Sequence, residues 1–248
     1  MSEATLAIPA TPLTALPAAL AGPGHAVLAS ADFARFVGST VAELDALRPS
    51  WDDLPPDAHL RDGGRYRRRR HSSFVVERGA VRLVAQRAHW QPVEYNALHG
   101  GIERWFEPIS THLLAAPAWQ RIVVAFARLA SSLRGEQPWF VEAHQFRIDT
   151  TDGIGRPTPE GAHRDGVDLV AVVLVGRDGI KGGETRVFAA DGPAGQRFTM
   201  LEPWTTLVLD DARVVHESTP IQPLEGYGHR DTLVLTYRAG SFQGPSAS

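Results

Sequence analysis

The chain has 248 residues, is 43% hydrophobic and 21% charged, and carries a formal net charge of −3; this is the balance of a soluble globular protein with room for one large all-β domain plus helices, and it offers no general attraction for nucleic acid or a membrane surface. It contains no cysteine and ten histidines, so disulfides, zinc ribbons, iron–sulfur clusters and thiol nucleophiles are excluded and any metal site must be built from His, Asp and Glu. No run of about 18 apolar residues is present, and the Ala- and Pro-rich start lacks both a basic n-region and an uninterrupted apolar core, so the expected localisation is cytoplasmic.

Residues 1–24 read as a loose lead-in that ends at the Pro23-Gly24 turn. Ala26-Val-Leu follows as a short strand and 30–37 as a short helix. Thr40-Val-Ala-Glu43 has the spacing of a capping box and opens a helix with Val41, Leu44 and Leu47 on one side, stopped by Pro49. The run Arg65-Tyr-Arg-Arg-Arg-Arg70 could serve phosphate or nucleic acid. With acidic residues in excess over the whole chain, it reads instead as a strand edge or loop whose arginines pair with carboxylates or line one anionic pocket. Phe74-Val-Val-Glu and Ala80-Val-Arg-Leu-Val read as two strands joined by Arg78-Gly79. The glycine pair and dense aromatics of 95–108 lead into a helix over about 109–114. From Pro117 a longer helix keeps Trp119, Ile122, Val123, Phe126, Leu129 and Leu133 on one face, which suits packing on the outside of a sheet.

From Trp139 the texture changes to short strands with Gly- and Pro-containing turns, as in a sandwich or barrel. Residues 140–149 are extended, with His144, Phe146 and Ile148 on one face and Gln145 and Arg147 on the other. Strands follow at 165–175, 181–190, 204–209, 210–216 and 229–237, and 239–248 reads as a frayed tail.

Just before the 169–175 strand lies Pro157-Thr-Pro-Glu-Gly-Ala-His163-Arg-Asp165-Gly-Val-Asp168. In an extended chain His163 and Asp165, two apart, point to one side and can share a metal ion. His216 ends a strand-like segment far enough downstream to fold back beside them. Two histidines and one carboxylate on one side of a metal make the open site used by non-haem iron oxygenases. In the last strand Arg230 and Thr232 share a face. A buried Arg needs an anionic partner, and its planar fork fits a carboxylate at two points, so this pair is a candidate carboxylate receptor; the alternative is a protein carboxylate beside Arg230.

These residues resemble the iron(II)/2-oxoglutarate-dependent dioxygenases, with their His-x-Asp…His…Arg-x-Ser/Thr arrangement. Further stretches, including Gly-Gly-Ile-Glu-Arg-Trp-Phe-Glu-Pro108, Gly182-Gly-Glu-Thr and Asp210-Asp-x-Arg-Val-Val-His216, are similar to the bacterial group of L-isoleucine and related free-amino-acid hydroxylases. The resemblance covers about residues 25–238. It implies one dioxygenase domain, mainly β with flanking helices: a helical and strand part to about 135, then a double-stranded β-helix (jelly roll, cupin-like) core over 139–238. It also implies that His163, Asp165 and His216 hold Fe(II), and that Arg230, helped by Thr232, binds the distal carboxylate of 2-oxoglutarate; Gln145, on one face with Arg147, is expected to touch either this cosubstrate or the substrate. With O2, 2-oxoglutarate would be converted to succinate and CO2 while an unactivated C–H is hydroxylated, with ascorbate helpful in vitro. For a free amino-acid substrate, Arg147 or Arg164 would meet the carboxylate and Glu160 or Asp168 the ammonium. The expected partner is this small molecule, with no membrane or nucleic acid and with a homodimer left open. The competing readings are the same chemistry on a peptide or nucleic acid, a non-oxidative metal enzyme of the same shape, and a metal-free binding module.

Overall fold

The computed structural model describes residues 8–96 and 98–245. After a short helical turn, the elements run α1 (Leu16–Ala21), β1 (His25–Leu28), α2 (Ser30–Val37), α3 (Val41–Asp45), β2 (Arg67–Glu77), β3 (Ala80–Leu83), α4 (Thr111–Ala115) and α5 (Pro117–Arg134). The strands then continue as β4 (Trp139–Asp149), β5 (Leu169–Asp178), β6 (Ile180–Gly182), β7 (Thr185–Ala189), β8 (Gly195–Phe198), β9 (Thr206–Asp210), β10 (Val214–Ser218), β11 (Ile221–Pro223) and β12 (His229–Ala239). One antiparallel sheet has the order β1-β9-β5-β12-β4-β2-β3. A smaller layer is made of β10-β7-β8 and the pair β11-β6. This is the mainly β, jelly-roll architecture expected.

Strand alternation gives the large sheet two different faces. On the outer face Leu233, Leu235 and Tyr237 of β12 and Val141 of β4 pack under Phe33, Ile122 and Phe126 of the helices. Tyr237, fully buried, donates its hydroxyl to the Val123 carbonyl at 2.9 Å. Each buried side chain of this size stabilises by about 1.5–3 kcal/mol relative to exposure, and α5 supplies a row of them, as its periodicity predicts. The capping box forms: Thr40 Oγ1 accepts from Glu43 N and Glu43 accepts from Thr40 N. The inner face meets the smaller layer through Val170, Leu174 and Leu207 against Val187, Phe198 and Val214. Beside this apolar contact the two layers leave a polar cavity.

The structure corrects the sequence reading in several places. The lead-in is anchored, because Leu16 and Leu20 of α1 are buried in the helix-side core; residues 1–7 of that lead-in, and 246–248 of the tail, lie outside the described residues. The rest of the tail is also held: Phe242 packs edge-on against Phe140, and Gln243 is buried. The hairpin strand begins at Arg67, not Phe74, so the arginine run is itself sheet. Arg67 and Arg69 face inward, with Arg67 on Asp57 at 2.7 Å. Arg65 and Arg70 pair with Asp152 and Glu107 at 2.8 and 3.0 Å, and Arg68 lies 3.5 Å from Asp149. No helix among the described residues is long and apolar enough to cross a membrane.

Candidate metal and cosubstrate site

His163 and His216 are cross-strand neighbours. His163 N donates to His216 O at 3.1 Å and His216 N to His163 O at 2.9 Å, so the two imidazoles emerge side by side, centroids 4.6 Å apart. Asp165 reaches between them, Oδ1 4.0 Å from His163 Nε2 and Oδ2 3.9 Å from His216 Nε2. Donor atoms from all three lie within 4.8 Å of one another. The His163 Nδ1–H donates to Gly161 O at 3.0 Å, which leaves the Nε2 lone pair aimed at the cluster.

The chain turns sharply after Asp165, and this turn is fixed from three directions. The Asp211 carboxylate accepts from the backbone N–H of Asp165, Gly166 and Val167 at 3.0, 2.7 and 3.0 Å. Gln91 donates to Asp165 Oδ1 at 3.1 Å, and Gln243 donates to the Asp165 and Gly166 carbonyls at 2.9 and 2.8 Å. Gly166 is required here: its φ is +74°, and a Cβ would lie 2.5 Å from the Tyr95 ring. Burial and the neighbouring His163 push the His216 imidazole down to about 3, so it stays neutral and able to donate a lone pair. Burial opposes charge on His163, but Asp165 and Glu160 outweigh it and raise its pKa. Burial pushes the Asp165 carboxyl up, and among the described residues only histidines, His163 and His216, come within ion-pairing distance of it. A divalent cation among the three donors would supply the compensating charge.

The cavity in front of this cluster measures about 940 Å³ with its open mouth included, and Arg230, Thr232 and Val234 of β12 form part of its wall. Arg230 is 4% exposed, and its Nη2 has no hydrogen-bond partner among the described residues. Among the described residues no carboxylate forms an ion pair with it. Its neighbour Asp231 turns to the other face and is gripped by Arg147 at 2.8 and 2.7 Å. Burial and the nearby Arg177 bring the Arg230 guanidinium down to about 10. The alternative of an internal carboxylate partner for Arg230 is therefore not realised. A buried cation without a counter-charge costs several kcal/mol, and an anion entering the cavity would offset that.

A family model described as 2OG-Fe dioxygenase matches residues 48–236. The chain belongs to this dioxygenase family. A crystal structure of a bsmA homolog from Methylobium petroleophilum PM1 is 51% identical, superposes with a TM-score of 0.91 and covers 96% of this chain and 97% of that one. Two others share the fold at 20% identity: IDO from Bacillus thuringiensis (TM-score 0.75, covering 93% of this chain and 99% of that one) and the Fe(II)/(alpha)ketoglutarate-dependent dioxygenase TqaL (0.72, 95% and 90%). Comparison with curated proteins gave no match. The family's reaction uses Fe(II), 2-oxoglutarate and O2. The donor set fits such an ion: two imidazole nitrogens and one carboxylate oxygen lie within 4.8 Å of one another.

Of the other residues expected at the site, Gln145, Arg147, Arg164 and Asp168 lie elsewhere. Gln145 points to the outer face and donates to Ser50 O and Oγ at 3.2 and 3.0 Å, tying down the turn after α3. Arg147, on the same outer face, is consumed by Asp231 and by Asp52 at 3.1 Å. Asp168 accepts from Ala239 N at 2.8 Å and lies 3.7 Å from Arg134, away from the cavity. Arg164 sits over the Tyr95 ring at 5.9 Å and does not line the cavity. Glu160 does line it, with Oε1 3.7 Å from His163 Nε2 and Oε2 unpartnered. Sequence reasoning missed Gln91, Arg104 and Gln243, which come from irregular segments without periodicity, and did not read Asp211 as the anchor of the Asp165 turn.

A second group of imidazoles, His71, His89 and His144, also brings donor atoms within 4.8 Å. Its surroundings argue for a structural role. Arg69 donates to His144 Nδ1 at 2.8 Å, while Glu142 takes Arg87 at 3.0 Å and His71 and His89 at 3.2 and 3.4 Å. Burial holds His71 and His144 below their ordinary range and His89 at about 3, so all three are neutral beside one satisfied carboxylate and two cations. A dication there would meet Arg69 and Arg87 at close range.

Proposed function

We propose that this dioxygenase hydroxylates an unactivated C–H of a free L-amino acid or a close derivative, with release of succinate and CO2. His163, Asp165 and His216 hold Fe(II), and Arg230, with the Thr232 hydroxyl on the same face, binds the distal carboxylate of 2-oxoglutarate. The observation that carries this reading is Arg230: a buried, unpartnered guanidinium on the wall of the cavity that also holds the three-donor cluster. When bound, iron with 2-oxoglutarate and O2 supplies the oxidising equivalent that breaks the C–H bond. The protein's part is positional. The Asp211 and Gln243 contacts hold Asp165 in place, and His163 is kept in one tautomer by Gly161. A recess between two sheet layers, lined by Arg230, Glu160 and the three-donor cluster, suits a small charged substrate better than a folded polymer. The arginine run that could have served a nucleic acid is spent on internal carboxylates.

The test is succinate release with Fe(II), ascorbate and 2-oxoglutarate across a panel of free amino acids, with mass detection of products. At least one member should raise succinate formation well above the substrate-free rate and yield a product one oxygen heavier. If none does, the amino-acid assignment falls.

A further inference from the structure

Among the described residues, two buried arginines of the cavity wall, Arg104 and Arg230, form no ion pair, whereas Arg67 and Arg69 share Asp57. Arg230 has a role in the reading above; Arg104 does not. Arg104 is 2% exposed and comes from the irregular segment between β3 and α4, where its backbone pairs with that of His89 at 2.9 and 3.0 Å. Its Nη2 donates to Gln91 Oε1 at 2.9 Å, its Nε has no partner among the described residues, and no carboxylate lies within ion-pairing distance. Its neighbours are accounted for: Asp57 is taken by Arg67, and Glu142 by Arg87 and two histidines. Burial and the field of Arg67 bring the Arg104 guanidinium down to about 10. A charge kept under such conditions is costly unless a ligand compensates it.

The position of Arg104 says which ligand. Gln91 accepts from Arg104 with its oxygen and donates to Asp165 Oδ1 with its nitrogen, at 3.1 Å, so Arg104 stands one amide group away from the three-donor cluster. Glu160 lines the same cavity with an unpartnered buried Oε2. Glu160 and Arg104 feel each other's field but form no ion pair. Arg104 Nε and Glu160 Oε2, each without a hydrogen-bond partner among the described residues and both on the wall of one cavity, match the two charges of a zwitterion.

We infer that Arg104 is the receptor for the substrate's carboxylate and Glu160 for its ammonium, with Gln91 linking the occupied receptor to Asp165; this rests on the free-amino-acid reading above. Arg104 thus sets specificity for the free acid, and Gln91 is a positioning residue.

Binding is measured by calorimetry on the protein loaded with Mn(II) and 2-oxoglutarate in the absence of oxygen. The probes are free amino acids, their primary amides and the corresponding acids lacking the amino group. The wild type should bind the best amino acid roughly 10–100-fold tighter than its amide, as for the loss of a charged hydrogen bond. Arg104→Gln should erase most of that preference, while Arg104→Lys should keep part of it, and Glu160→Gln should weaken the amino acid without changing the acid that lacks the amino group. Affinity for 2-oxoglutarate serves as the check on folding. If wild type takes acid and amide equally, or if Arg104→Gln keeps the preference, the assignment of Arg104 is overturned; the first arm needs no variant. If only acids without an amino group bind, and do so through Arg104, the receptor stands and the amino-acid reading fails. If no carboxylate binds, both fall.

Discussion

Arg147 and Arg230 sit on adjacent strands of one sheet and carry the same charge, yet they differ because side chains alternate across a strand. Arg147 faces outward onto Asp231 and Asp52, whereas Arg230, opposite Ile148, faces the cavity and meets no carboxylate. The i, i+2 spacing in the sequence separated the two faces of 140–149 correctly, but periodicity does not say which face is inside. A cation for the substrate carboxylate is expected at Arg147, with Gln145 beside it on the same face, but the cavity takes His144 and Phe146 instead. Polar residues on the outer face were needed to hold the segment after α3. An unpaired buried charge makes a sharp expectation. Arg230→Gln should weaken 2-oxoglutarate binding by roughly 10–100-fold without lowering the denaturant midpoint, because no internal partner is left behind. Titration of 2-oxoglutarate against both proteins, with urea unfolding alongside, checks it; unchanged affinity would remove Arg230 from the site.

At the scale of elements, α5 and the capping box of α3 were readable because each is a local pattern: an apolar stripe at helical spacing, and Thr40 three residues before Glu43. Segments held by distant contacts were not readable. Leu16 and Leu20 belong to a stretch of Ala and Pro with no strong pattern, yet α1 packs on β1 and α5, and Leu20 is 0% exposed. The tail behaves likewise, since Gln243 reaches back to the Asp165 turn. Leu20→Ala should therefore cost about 2–5 kcal/mol, read as a lowered urea midpoint. A change below about 0.5 kcal/mol, the range of surface substitutions, would mean that the segment is detached from the core. The arginine run illustrates the middle case: its pairing with carboxylates was expected, but its place inside β2, with Arg67 and Arg69 on the cavity side, depends on β4 lying beside it.

Across the whole molecule, the two sheet layers bring together residues that the sequence scatters over more than half the chain. His163 and His216 meet through a backbone bridge, β12 contributes Arg230, and the irregular segment after β3 contributes Gln91 and Arg104. The first three were legible because metal and carboxylate chemistry restricts residue type and spacing. The last two were hidden because Gln and Arg in a loop carry no such restriction, and only the fold shows that they are buried and convergent. The proposed reaction couples 2-oxoglutarate decarboxylation to hydroxylation within this cavity. Its most direct test is turnover under 18O2 with the best amino acid of the panel, followed by mass analysis of both products. One labelled oxygen in succinate and one in the hydroxylated amino acid is the predicted result; unlabelled succinate, or a product whose new oxygen comes from water, would contradict it.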